Sequence, residues 1–121
     1  MIEQALHRWL AAMNGPTPMS VEAALSPDAR IHRYGIFERR DEVVDVFASH
    51  EQHLAWLLRS PEGTVFSLLS VEPLEDGYTA RYGVAVEDFI NEGRWTLRLS
   101  EDGRIDELHH RADAIEVPPL P

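Results

Sequence analysis

The sequence predicts an α+β fold, a cone-shaped curved antiparallel sheet wrapped over a long helix, with N-terminal helices on the same face. Three observations carry this. Residues 2–13 place Ile2, Leu6, Trp9, Leu10 and Met13 at helical spacing. Residues 40–59 repeat the pattern over a longer stretch, with Val43, Phe47, His50, Leu54 and Leu57 or Leu58 on one stripe. From residue 64 onward the pattern changes to alternating segments, ending in a long hairpin. Its outgoing arm is Arg94–Leu99, its turn Ser100-Glu101-Asp102-Gly103, and its return arm Arg104–Asp113.

The elements follow in order. Asn14-Gly15-Pro16 stops the first helix. Ser20 is placed to cap a short second helix ending near Leu25, and Ser26-Pro27-Asp28 breaks it. Residues 29–35 form a strand, with Ile31 and Arg33 on one side and His32 and Tyr34 on the other. The stretch 40–59 is the longest helix; Asp41 and Glu42 sit in its first turn and Arg59 at its end, as the helix dipole prefers. Residues 64–72 are rich in Val, Phe and Leu. Asp76-Gly77 marks a tight turn, residues 78–90 alternate, and Asn91-Glu92-Gly93 turns into the terminal hairpin.

Composition bounds the function. The chain has 121 residues, 44% of them hydrophobic, enough for one domain that hides roughly two-thirds of its unfolded surface. Residues 1–115 are expected to form that domain, and the proline-rich 116–121 a tail. No apolar run approaches the ~18 residues of a membrane span. Met1-Ile2-Glu3-Gln4 lacks the pattern of a secretory leader, so a cytoplasmic location is expected. With no cysteine, thiolate chemistry and disulfides are excluded. Every one of the 11 basic residues is arginine, which removes Schiff-base lysine chemistry. A net charge of -10 argues against nucleic acid and anionic membranes as partners.

The order of elements resembles the nuclear transport factor 2-like superfamily, which includes ketosteroid isomerases and SnoaL-like polyketide cyclases. The resemblance covers about residues 2–115. It is carried by Leu25-Ser26-Pro27-Asp28-Ala29-Arg30-Ile31 entering the first strand, Arg39-Arg40-Asp41-Glu42-Val43-Val44, and Glu101-Asp102-Gly103-Arg104-Ile105 at the final turn. It implies a cone with an open mouth and a small-molecule ligand, without a cofactor. It also implies three departures from isomerase chemistry. Trp9 stands where those isomerases carry an oxyanion-binding tyrosine, Arg33 where they carry an aspartate base, and Trp95 where they carry a protonated aspartate. Arginine is no base at neutral pH, and an indole N–H donates but does not shuttle a proton.

Within that frame His110 and Arg33 are the candidate catalytic residues, an imidazole that titrates near neutrality and a carboxylate or enolate clamp. Arg33 has a competing role as the partner of Asp88, Glu87 or another acid. Trp9, Met13, His32, Tyr82, Asp88 and Trp95 are the candidate ligand contacts, and Trp56 falls off the main stripe, at an interface. His110 competes with a structural role as a hydrogen-bonded core histidine, and the two indoles with simple filling of the cone. No metal site is expected: His50 and His53 lie at i and i+3, the wrong spacing for a zinc-protease helix. Two functions compete, a pocket for a small hydrophobic or aromatic, sometimes anionic, molecule and a non-catalytic homodimeric module with a plugged cavity. Either way a homodimer through the outer sheet face is expected.

Overall fold

The computed structural model describes residues 1–36 and 39–113; the proline-rich tail and the expected boundary at residue 115 lie outside the described residues. Among the described residues three helices and six strands follow in the order α1 (Ile2–Asn14), α2 (Pro18–Ala24), β1 (Leu25–Tyr34), β2 (Val43–Phe47), α3 (His50–Leu57), β3 (Val65–Leu74), β4 (Gly77–Val86), β5 (Phe89–Leu99) and β6 (Ile105–Ala112). The strands make one curved, unclosed sheet ordered β2-β1-β6-β5-β4-β3. The α+β class and the cone are as expected.

The sheet is mixed rather than antiparallel, because β1 and β6 run parallel while every other pair is antiparallel. Sequence order alone hides this pairing, which joins the first long strand to the last one.

α1 buries Ala5, Leu6, Trp9, Ala12 and Met13 against the concave face. Its C-terminal end is pinned by Asn14, whose amide donates to the Phe66 carbonyl at 2.9 Å and accepts from the Phe66 N–H at 2.7 Å. α2 starts on Thr17, not Ser20. Thr17 Oγ1 accepts from the Ser20 N–H at 3.0 Å, Ser20 Oγ accepts from the Thr17 N–H at 2.9 Å, and Pro18 opens the first turn. The core then closes around Trp9, Trp95, Leu6, Ile31, Leu97 and Leu108, all essentially without exposure.

The expected helix over 40–59 is corrected. Residues 43–47 are the edge strand β2, and the helix after it has only eight residues, so α1 is the longest helix. Val43, Val44 and Val46 are β-branched and lose rotamer freedom in a helix but suit a strand. Tertiary pairing with β1 completes the choice, setting Ile31 opposite Phe47 and Arg33 opposite Asp45. Ser49 then caps α3, its hydroxyl accepting from the Gln52 N–H at 3.2 Å.

The β4–β5 turn is also corrected. It falls on Glu87-Asp88 between the paired residues Val86 and Phe89, with Glu87 at φ 52°, and not on Asn91-Glu92-Gly93. Gly93 lies inside β5 for a packing reason. A Cβ there would sit 2.3 Å from the Tyr82 ring and 2.5 Å from the Arg111 carbonyl. The missing side chain is the space into which the Tyr82 ring folds.

Gly93→Ala is therefore expected to cost about 1–3 kcal/mol of stability, the usual range for overpacking. Urea unfolding checks this, and an unchanged midpoint with unchanged slope would show that the ring is not held there.

Candidate functional site

The concave side of the sheet brings together residues from four elements. Trp95 on β5 is the cross-strand partner of His110 on β6. Tyr82 on β4 lies across Gly93, so its ring reaches diagonally over β5. It stacks on Trp95 at 4.5 Å between centroids and on His110 at 5.3 Å. Trp9, from α1, meets Trp95 edge-on at 5.8 Å. Trp9, Tyr82 and Trp95 are fully buried and fill the depth of the cone. Among the described residues nothing accepts from the Trp9 Nε1–H.

One hydrogen bond determines the state of His110. Trp95 Nε1–H donates to His110 Nδ1 at 3.0 Å. An indole nitrogen only donates, so Nδ1 presents its lone pair and the neutral ring carries its proton on Nε2. That Nε2–H faces the Tyr82 hydroxyl oxygen at 3.3 Å. Burial pushes the imidazole down to about 4, and the nearby Arg33 guanidinium adds to the effect. Burial likewise pushes the Tyr82 phenol well above its ordinary value. Neither group is charged near neutrality.

Above this aromatic floor the cone opens into a cavity of about 200 Å³, bounded by Met13, Arg33, Trp56, Arg59, Phe66 and His110. Trp56 meets His110 edge-on at 5.2 Å and stacks on Phe47 at 5.3 Å, so this indole lines the cone mouth. Arg33 enters from β1. Its Nε and Nη2 both donate to Asp45 Oδ2, at 2.9 and 2.6 Å. The acid that partners Arg33 is thus its β2 neighbour. The remaining nitrogen, Nη1, makes no hydrogen bond among the described residues.

The structure gathers Trp9, Met13, Arg33, Tyr82, Trp95 and His110 on one side of the sheet. It separates two of the expected contacts. Asp88 is exposed in the β4–β5 turn, because the turn comes earlier than the Gly93 signal suggested. His32 alternates away from Ile31 and Arg33 onto the outer face, where its ring stacks on His109 at 4.5 Å. Trp56, Arg59 and Asp45 were missed as site residues, because residues 40–59 read as one helix hide which of them face the cone; Phe66 was missed because it sits in an apolar strand run that gives no sign of which side faces the cone. His50 and His53 are structural. His50 Nε2–H donates to the Leu25 and Ser26 carbonyls at 3.1 and 3.2 Å, and buried His53 donates to the Phe47 carbonyl at 3.0 Å.

No protein-family model and no curated protein matches the sequence. Solved structures do match its shape. A SnoaL-like family protein from Agrobacterium tumefaciens superposes with a TM-score of 0.73 at 15% identity, over 93% of this chain and 97% of that one. A protein with a ketosteroid isomerase-like fold from Catenulispora acidiphila, in complex with trimethylamine, gives 0.71 at 16% identity, over 93% and 88%. An NTF2-like protein of unknown function from Cytophaga hutchinsonii gives 0.69 at 10% identity, over 93% and 90%. The chain has the nuclear transport factor 2-like fold. At such identities the likeness carries architecture and not chemistry, since one fold hosts unrelated functions. What this NTF2-like cone does must come from its own residues. Among the described residues no helix is long and apolar enough to cross a membrane.

The sign of the His110 effect gives a test. A histidine whose folded pKa lies below the unfolded 6.5 contributes stability that is present above that value and lost as pH falls toward 4. Melting temperature is expected to hold above pH 6.5 and fall below it, with the His110 ring still neutral at pH 5.5 by NMR. Trp95→Phe, which removes the donor to Nδ1, is expected to raise the His110 pKa. A ring that titrates near 6.5 in the unaltered protein contradicts this account.

Proposed function

We propose that this SnoaL-like domain binds a small apolar or aromatic acid at the cone mouth. The observation that carries the reading is the cavity of about 200 Å³ with apolar walls (Met13, Trp56, Phe66) and two guanidiniums, Arg33 and Arg59, at its side. Pockets for drug-sized ligands run to roughly 300 Å³ and more. The volume therefore suits one ring with a carboxylate and excludes a steroid or a polycyclic polyketide. Arg33 Nη1 and Arg59 meet the carboxylate, and His110 and Trp56 form the surface on which the ring lies. Trp9, Tyr82 and Trp95 close the space beneath.

Binding is favoured over isomerase, cyclase or lyase chemistry at His110. A general base needs a free lone pair, and the one on His110 is occupied by the Trp95 Nε1–H. On this reading His110 positions the ligand and Arg33 holds its charge.

A second reading concerns assembly. Val65, Leu69 and Ile90 are more than half exposed and, with Gly83 and Ala85, line a shallow groove at the β3–β4 end of the sheet. That apolar patch supports the homodimer, seated on this end and not on the charged centre of the outer face.

Thermal-shift titration with benzoate and benzamide tests the pocket. The acid is expected to raise the melting temperature and the neutral amide to leave it unchanged. Arg59→Met, at an exposed position, is expected to weaken the acid roughly tenfold or more, as loss of one charge-assisted hydrogen bond does. An equal response to acid and amide, or none to either, overturns the reading. Light scattering tests the dimer: twice the 13.8 kDa chain mass is expected, reverting to one on Ile90→Glu.

A further inference from the structure

The outer face of the sheet carries a second constellation that the cone does not use. His32 on β1 and His109 on β6 are paired directly across the parallel ladder. Glu107 precedes His109 by two residues and so shares its face. His109 Nε2 lies 3.0 Å from Glu107 Oε1, and His32 Nε2 lies 3.8 Å from the same oxygen. The three ligand atoms fall within 4.8 Å of one another. Donors bound tetrahedrally at 2.0–2.2 Å from one ion stand about 3.4 Å apart, so small side-chain rotations bring all three onto one ion. We propose that His32, Glu107 and His109 form a binding site for a divalent first-row transition metal.

The surroundings suit this role. All three side chains are about a quarter exposed, reachable by an ion, and stand on two strands interior to the sheet. The two imidazoles stack with planes 7° apart, and a nitrogen of each lies within 4.8 Å of the other. The Tyr34 hydroxyl stands 2.8 Å from His109 Nδ1. A hydroxyl donates or accepts, so it satisfies either tautomer of His109. With the ion absent, Nε2–H donates to Glu107. With the ion bound, the proton sits on Nδ1 and is donated to the Tyr34 oxygen, and Nε2 offers its lone pair. That is the outer partner a metal-bound histidine needs. Tyr34 is itself held by the Arg111 guanidinium, 3.6 Å over its ring. Arg98 pairs with Glu107 Oε2, which leaves Oε1 for the ion.

Two histidines and one carboxylate leave coordination positions open. Glu107 and His109 border a groove of about 400 Å³ that Glu75, Asp76, Thr96 and Arg98 also line. The acids on the β3–β4 turn there offset part of the repulsion that Arg98 exerts on a cation. The site is independent of the cone mouth, since it lies on the opposite side of the sheet and its test uses the metal alone.

The full chain, prepared without a polyhistidine tag and stripped with chelator, is titrated with Zn²⁺ by calorimetry and with Co²⁺ by visible absorption. One ion per chain is expected, with Co²⁺ giving the d–d bands of a nitrogen–oxygen site. His32→Ala, Glu107→Gln and His109→Ala are each expected to weaken binding by tenfold or more, and Tyr34→Phe by about tenfold, as loss of an outer partner does. His7→Ala, on the exposed side of α1, is expected to change nothing. An unchanged metal-free melting temperature is expected for Glu107→Gln and is the control that its fold is intact. Absence of saturable one-to-one binding, or an affinity unaffected by His32→Ala and Glu107→Gln, overturns the proposal.

Discussion

The hydrogen bond from Trp95 Nε1 to His110 Nδ1 orders the interior of this protein. An indole donates in one direction only, so the bond selects a tautomer, and the tautomer aims Nε2–H at Tyr82. Tyr82 in turn lies flat on Trp95, and Trp95 meets Trp9 edge-on. Each ring is held by the next, and the stack fills the space that an open cone would leave to solvent or ligand. The depth of the pocket is therefore set by packing in the floor, not by the curvature of the sheet. A cone of this fold with smaller residues at the three positions would be deeper without any change of backbone.

His109 and His110 are adjacent yet lead different lives. Alternation along β6 turns one into the cone and the other onto the outer face. Inside, burial and the neighbouring guanidinium hold His110 neutral. Outside, His109 is bracketed by a carboxylate at 3.0 Å and a phenol at 2.8 Å. One rigid strand thus presents two imidazoles with separate chemistries, at positions that a loop could not fix as closely.

What the sequence revealed and what it hid follow from the range of each interaction. The α1 stripe and the terminal hairpin rest on local periodicity and a turn glycine, Gly103 at φ 85°, and both were legible. So was the convergence of Trp95 and His110, because it needs only the alternation of strands and the register of the final hairpin; that Trp9 joins them was implied by the family resemblance, since the docking of α1 on the sheet leaves no mark in local pattern. Residues 40–59 were not legible. Their apolar positions fit a helix, and what overrides it is pairing with β1, a contact made across chain that local pattern does not register. Misreading β2 removed Asp45 from consideration and left Arg33 without its partner. The turn before β5 failed for a related reason. Gly93 signals a turn by composition, while its actual cause is a tyrosine ring from the neighbouring strand.

The pair between Arg33 and Asp45 ties the edge of the sheet to the mouth of the cone. β2 is short, and its side chains other than Phe47 are partly or fully exposed, so the cross-strand ion pair carries much of its specificity of register. Two of the guanidinium's donors are spent on one carboxylate oxygen, and Nη1 makes no hydrogen bond among the described residues. On the proposed function a single arginine therefore stands between a permanent acid and a visiting one. In that proposal the repulsion between the two carboxylates limits the charge the mouth accepts, and Arg59, which also lines the cavity, supplies the balance for one negative charge but not for two. The proposed ligand is therefore a monoanion, which is a sharper constraint than cavity volume alone imposes.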